Sequence, residues 1–275
     1  MDGLYNCIIE CFRIAGFNFS ILTKQNLLDK SWDSFIIKQK ISNLLFCVSV
    51  YAAPENLRYG IEDYLLGNIK ATRIVRLDND IMICDKEWEK VIVLPLVNKD
   101  NLTSFLVQTF YTHAVQRHMI QFHSSLIDYQ GRGLMFLGPS GIGKTTQAEL
   151  WNQYRDALII NGDIVFVQET EEAFLGWGTP WHGSSPYCEN TNVPVDALII
   201  LKQAPENSIR KLEGFEKVTA VSNSVFYPRW LENGMELCLE TLDHLLSKIP
   251  VYELSCRPDE EAVELTEKTI FGREH

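Results

Sequence analysis

The chain has 275 residues, 46% of them hydrophobic and 22% charged, enough for one large domain or two small ones with a sizeable core. Its formal net charge of −11 argues against broad nonspecific binding to nucleic acid or an anionic membrane, since either needs a basic face. No apolar run approaches the ~20 residues of a membrane helix, and the opening stretch, with Asp2 and no basic segment, does not read as a secretory signal; a cytoplasmic protein is expected.

Residues 1–98 read as a β-rich N-terminal lobe. Cys7 and Cys11 near its start are four apart, with no second pair to complete a zinc site. Buried thiols in a reducing compartment are expected for the seven cysteines, with Cys7 and Cys11 on one helical face. Short β-like runs follow at 17–22, 44–52, 71–77, 80–85 and 90–96, separated by Asn, Asp and Gly. They predict an antiparallel layer, with a hairpin turn at Asp78-Asn79-Asp80.

The period then changes. Leu102, Phe105, Leu106, Phe110 and Ala114 fall at helical spacing, predicting a helix over 102–119 capped by Asp100 or Asn101. A strand through His123, a turn at Gln130-Gly131 and a second strand, Leu134 to Leu137, come next. That strand feeds a glycine loop and then a helix from Lys144 to Tyr154. Further strands are expected at 157–167 and 195–203, and helices at 216–225 and 240–248. Pro258 should open a last helix, with acids in its first turn. The fold class is α/β: a mixed β-sheet phosphate-loop domain over 99–275 beside the β-rich lobe, the two forming one compact unit.

The loop Gly138-Pro139-Ser140-Gly141-Ile142-Gly143-Lys144-Thr145-Thr146 matches G-x-x-x-x-G-K-[ST]. Glycines let backbone N–H groups turn inward around phosphate oxygens, Lys144 neutralises the β and γ phosphates, and the Thr145 hydroxyl sits on Mg²⁺. A triphosphate site also needs a carboxylate for its metal. Asp163, ending the run "ALIINGD", is the candidate, although "NGD" also reads as a hairpin turn. His123 lies 21 residues before Lys144, one hairpin earlier. Beside Phe122 it suits a core or edge position as well as a ligand. The loop 176–186 is shaped by Gly and Pro. Its Trp177, Trp181 and His182 either line an acceptor or nucleotide pocket or plug the lobe interface. Ser184 and Ser185 read as polar loop residues rather than nucleophiles. Arg257 either reaches a phosphate or pairs with the acids 259–261.

The segment "FHSSLIDYQGRGLMFLGPSGIGKTTQAEL" followed by "LIINGDIVFV" resembles the HPr kinase and phosphoenolpyruvate carboxykinase superfamily. That family pairs a strand bearing His-x-Ser or His-Gly with a phosphate loop about twenty residues on, and then an Asp-Asp strand. His123, Lys144, Thr145 and Asp163 fall on the matching positions. The resemblance implies that His123 and Asp163 hold a divalent metal beside the γ phosphate, as in the carboxykinases, or serve phosphoryl transfer, as in the HPr kinases. "GWGTPWHGSSP", "DALIILKQAPENSI" and "IPVYELSCRPDEEAVEL" extend it, over residues 105–265, to the small bacterial HPr-kinase-like proteins found with modified-peptide clusters. One departure stands out: the acidic pair is Gly162-Asp163 here. The chain is too short for a carboxykinase, and the separate N-terminal domain and C-terminal signature of a true HPr kinase/phosphorylase are not apparent.

The expected function is that of a kinase. It would bind ATP with Mg²⁺, or Mn²⁺ in its place, and pass the γ-phosphate to a serine-type hydroxyl of a peptide, protein or small molecule. His123, Lys144 and Asp163 are the catalytic candidates, Thr145 and Asp163 the metal ligands, and Trp181, His182 and Arg257 the acceptor-side candidates. The resemblance also implies a homo-oligomer. The rival is a non-catalytic ATP-binding accessory protein, favoured by Gly162. A third reading is an ATPase that drives a partner.

Overall fold

The computed structural model describes residues 8–23, 27–39, 41–52 and 69–272; Cys7 lies outside them. The chain divides into two compact units between His113 and Ala114. The first unit therefore also holds most of the helix that the sequence pattern assigns to the second.

The first unit runs β1 (Ile8–Ile14), β2 (Phe17–Thr23), a 3-10 turn (Lys30–Phe35), β3 (Phe46–Ala52), β4 (Arg73–Leu77), β5 (Asp80–Cys84) and β6 (Lys90–Leu96). Among the described residues these strands form one sheet in the order β1-β2-β3-β6-β5-β4. The hairpins β1–β2 and β4–β5 are antiparallel, but β2–β3 and β3–β6 are parallel. The expected antiparallel layer is thus a mixed sheet. The cause is the length of the connections. Parallel neighbours need a long crossover: the 3-10 turn lies between β2 and β3, and the β4–β5 hairpin between β3 and β6. Phe19 stacks on Phe46 at 4.6 Å between ring centroids, and Trp32 meets Phe12 edge-on at 5.1 Å. Cys11 sits in β1, so the expected helical cysteine face is replaced by a strand.

Helix α1 spans Lys99–Val115, earlier than expected at both ends. Asn98 supplies the cap, its Oδ1 accepting from the Asp100 N–H at 3.0 Å, which leaves Asp100 and Asn101 inside the first turn. Buried Asp80 ties this entry to the sheet by accepting from Val97 N at 2.7 Å and Asn101 Nδ2 at 2.9 Å. After the helix His118 takes a positive φ of 51°, and Met119 already belongs to the next strand.

The second unit continues with β7 (Met119–Tyr129), β8 (Arg132–Leu137), α2 (Lys144–Arg155), β9 (Leu158–Asn161), β10 (Ile164–Glu169), β11 (Phe174–Trp177), β12 (Asn192–Gln203), β13 (Ser208–Leu212), α3 (Gly214–Ser222), β14 (Val225–Phe226), α4 (Gly234–Lys248), β15 (Val251–Cys256) and α5 (Glu260–Phe271). Its sheet has the order β11-β10-β7-β8-β12-β15-β13, with β9 and β14 also on β7. The hairpin β7–β8 turns at Gln130-Gly131, both at positive φ, as a primed two-residue turn requires. Strands β8, β12 and β15 run parallel, and the "ALIIL" run of β12 is buried throughout, as suits a strand covered on both faces.

Helices α2 and α5 cover that sheet. Trp151 is fully buried and meets Tyr129 and Phe271 edge-on at 5.2 and 6.3 Å; burying a large apolar side chain stabilises by about 1.5–3 kcal/mol. Glu267, buried in α5, accepts from Tyr129 Oη and Arg155 Nε, both at 2.6 Å, so its charge is paired where desolvation would otherwise be costly.

Several boundaries differ from expectation. The strand over 157–167 is two strands broken at Gly162-Asp163. Helix α3 ends at Ser222, and Val225 joins β14 against Phe122 of β7. Helix α4 begins at Gly234 rather than near 240. Pro258 precedes the cap of α5, which is Asp259. The six described cysteines are free thiols; Cys84, Cys238 and Cys256 are buried and Cys47 is exposed, so burial holds for part of the set. Desolvation pushes the Cys84 and Cys256 thiols up to about 11. Among the described residues no helix is long and apolar enough to cross a membrane.

Candidate functional site

Strand β7 organises the site because it changes partners midway. Its second half pairs with β8, down to Ser124 opposite Leu137. The glycine loop therefore leaves the sheet one residue from His123. Along the other edge of β7, β9 pairs up to Leu126–Asn161 and β10 resumes at His123–Ile164. Gly162 and Asp163 sit in the break, and the Ser124 N–H donates to the Asp163 carbonyl at 3.0 Å.

The break is built by Asn161. Its Oδ1 accepts from the N–H of Asp163 at 2.8 Å and of Ile164 at 3.0 Å, and its Nδ2 donates to the Thr179 carbonyl at 2.9 Å. This Asx-type turn swings the Asp163 side chain to His123, whose Nε2 lies 3.0 Å from Asp163 Oδ1. Both side chains keep 29% exposure, so the pair faces solvent.

The loop 138–143 wraps the start of α2. Gly138 and Gly143 take φ of 143° and 114°, backbone that side-chain-bearing residues rarely adopt. Lys144 is 7% exposed, and its Nζ donates to the carbonyls of Gly138 at 3.1 Å and Pro139 at 3.2 Å. Burial pulls its ammonium below the usual lysine value, and the Asp163 carboxylate opposes that shift. The Thr145 hydroxyl donates to the Gly162 carbonyl at 3.4 Å. The N-terminus of α2, with its positive dipole end, opens on the same space.

That space is a cleft of about 250 Å³. It is lined by His123, Ser140, Gly141, Gly143, the helix residues Lys144 to Thr146, Gly162, Asp163, His182, Ser184 and Ser185. Three of the loop residues expected to bind lie outside its lining. Gly138 and Pro139 instead hold Lys144 through their carbonyls, and Ile142 packs toward the core cluster.

Of the acceptor-side candidates only His182 is in the cleft. Trp181 is 3% exposed and packs near Phe166 at 6.2 Å, because its ring fills the interior beneath the loop. Trp177 belongs to β11 and donates to Gln168 Oε1 at 3.1 Å. Arg257 is engaged by Asp259 and Glu261, each at 2.8 Å, and donates to the Pro205 carbonyl, so its acid-pairing alternative is the one observed.

Two residues that pattern reading does not assign to the site shape it. Asn161 makes the break, signalled only by an Asn two residues before the Asp. Ser185 fills the space beside Gly162: a Cβ built on Gly162 would stand 2.0 Å from Ser185 Oγ and 2.5 Å from its Cβ. The space of a side chain at position 162, where the resemblance leads one to expect a second carboxylate, is thus taken by a buried serine.

Among the described residues no group of three or more His, Cys, Asp and Glu is placed to hold a metal by itself. Thr145 and Asp163 offer two hard oxygen donors beside the loop. Such a set fits Mg²⁺, which binds through one or two protein oxygens while waters and phosphates complete its shell.

Comparison with known proteins shows a family and, among solved structures, a weak likeness. The model of the family described as "SynChlorMet cassette protein ScmC" matches residues 97–270, more than half of the chain. No curated protein matches. Among solved structures, the HPr(Ser) kinase/phosphatase from Coxiella burnetii aligns at 10% identity and a TM-score of 0.33, covering 54% of this chain and 95% of that one.

Proposed function

The chain belongs to the SynChlorMet cassette protein ScmC family, and from the groups gathered in its cleft we propose that it is an ATP-dependent kinase acting on a serine-type hydroxyl. The observation that carries the reading is the meeting of four groups in one cleft: the glycine loop, Lys144, Thr145 and the His123–Asp163 pair. A loop of this sequence at a helix N-terminus suits a triphosphate tail.

In this reading the loop N–H groups and Lys144 bind the β and γ phosphates. Lys144 releases the Gly138 and Pro139 carbonyls to do so. Thr145 and Asp163 hold Mg²⁺, which when bound neutralises charge on the phosphates. His123 fixes one oxygen of Asp163. The other, Oδ2, faces Gly183, where a Cβ would stand only 2.4 Å away. The acceptor hydroxyl approaches from the open cleft, which Asp163 also lines, and passes its proton to Asp163. Phosphoryl transfer asks mainly for positioning and charge neutralisation, which a single carboxylate with a histidine partner supplies.

The test is incubation of the protein with γ-labelled ATP, Mg²⁺ and a panel of serine-containing peptides and small molecules. Label should appear in a serine product, and Lys144→Ala or Asp163→Ala should lower the rate by about 100- to 1000-fold. The second reading, a nucleotide-binding accessory protein without transferase activity, has Gly162 in its favour. Tight ATP binding with no transfer to any acceptor would support it and reject the kinase.

A further inference from the structure

The turn His182–Ser185 is fastened to the break in the sheet at two points. It is closed by the Ser185 N–H donating to the His182 carbonyl at 3.0 Å, and the His182 ring donates through Nδ1 to the Ser185 carbonyl. At the first point Gly183 lies so close to Asp163 that a Cβ on it would meet Oδ2 at 2.4 Å. At the second, Ser185 Oγ occupies the space a side chain on Gly162 would take. Both fastenings need the neighbouring glycine to have no side chain, so the close approach is written into the sequence at Gly162 and Gly183.

Between the two points stands Ser184. Ser185 is 7% exposed, and its Oγ accepts from the Tyr187 N–H at 3.3 Å, whereas Ser184 is exposed and lines the cleft with Lys144, Thr145 and Asp163. A hydroxyl is thus presented from the chain itself, one residue from the carboxylate contact, on the side where an acceptor would enter.

We propose that Ser184 is a self-phosphorylation site, modified by the chain's own cleft; this rests on the triphosphate reading above. The Ser184 Oγ–Pγ bond forms as the bond from Pγ to the β–γ bridging oxygen breaks. A nucleoside diphosphate leaves, and the hydroxyl proton passes to the Asp163 carboxylate. The phosphoserine product carries about −1.5 to −2 charge into a cleft that already holds Asp163. It also places phosphate oxygens within the surroundings of Lys144. Ser184 offers a single hydroxyl, so self-modification stops at one phosphate per chain, while the like charge slows later transfer to an added acceptor.

The experiment uses the full chain with γ-labelled ATP and Mg²⁺ and no added acceptor, followed by phosphopeptide mapping. The expected result is a single phosphoserine at Ser184. The fraction labelled per unit time should be independent of protein concentration, because the hydroxyl and the cleft belong to one molecule. Ser184→Ala should remove the label, Ser184→Thr should move it to phosphothreonine, and Lys144→Ala should abolish it. Binding of a nonhydrolysable ATP analogue is measured alongside by calorimetric titration. Binding without label at residue 184, label at another residue, or a labelled fraction that rises with protein concentration would each overturn the proposal while leaving nucleotide binding standing. Absence of binding would remove both.

Discussion

Gly162 decides the local geometry of the cleft through what it lacks. Its carbonyl accepts from Thr145 Oγ1 and Ser125 Oγ, both at 3.4 Å, and its missing side chain admits Ser185. Three segments distant in sequence are thereby held at one residue. Gly162→Ala should push a methyl into Ser185 and destabilise the protein by about 1–3 kcal/mol, the usual cost of overpacking. Ser185→Gly empties the same space and should absorb part of that cost. In a double-mutant cycle read by urea denaturation, the pair should therefore lose less than the sum of the single changes. Strict additivity would mean that the two residues do not share the space.

At the scale of elements, the docking of α5 shows how one residue serves several partners. Asp259 caps the helix by accepting from Ala262 N at 3.2 Å, and it also accepts from Asn207 Nδ2 at 2.9 Å and Arg257 Nε at 2.8 Å. Partial desolvation works to raise its pKa. The bonds from Asn207, Arg257 and Ala262 outweigh it, and the net shift is below the ordinary 3.8. A carboxyl lowered in the folded state contributes stability that is fully present above its unfolded pKa and is lost as pH falls through the folded value. Asp259→Ala should therefore cost about 1 kcal/mol at neutral pH, the usual worth of an N-cap, and the gap to the unchanged protein should narrow as pH falls through the lowered carboxyl value, below 3.8. Urea denaturation at both pH values checks this; an equal gap in acid would show that the charge plays no part.

The same helix illustrates what pattern reading can and cannot reach. Its apolar period and acidic first turn are local, so the helix is legible from "RPDEEAVELTEK"; whether Asp259 or an earlier residue caps it depends on Asn207 and Arg257, which the fold brings in. Strands β2 to β6 of the first unit are legible as β-branched and aromatic runs for the same reason, whereas β1 is not, because the spacing of Cys7 and Cys11 also suits a helical face. Their parallel pairing is not, because direction follows from how each connection crosses the sheet. In the cleft, Lys144 and Thr145 are visible through their spacing and His123 through the hairpin that returns it to the loop. Ser185 and Asn161 carry no comparable mark, since their roles arise from a space left by one glycine and from two backbone N–H groups at a strand break.

For the whole molecule, the division of labour follows the chain. The family match begins at residue 97, and every residue lining the cleft lies between His123 and Ser185, inside the second compact unit. A ligand that binds only the folded cleft stabilises what it touches by mass action, about 2.7 kcal/mol at a concentration one hundred times its dissociation constant. Local opening is governed by local contacts, so this gain should be distributed unevenly. With ATP and Mg²⁺ added, hydrogen exchange should slow most in peptides covering β7, the glycine loop, the start of α2 and the break between β9 and β10. Peptides from β1 to β3 should exchange as before. Protection appearing equally in residues 8–52 would contradict a binding site confined to the second unit. Protection limited to the cleft segments, and abolished by Lys144→Ala, would tie nucleotide binding to the loop independently of any phosphate transfer.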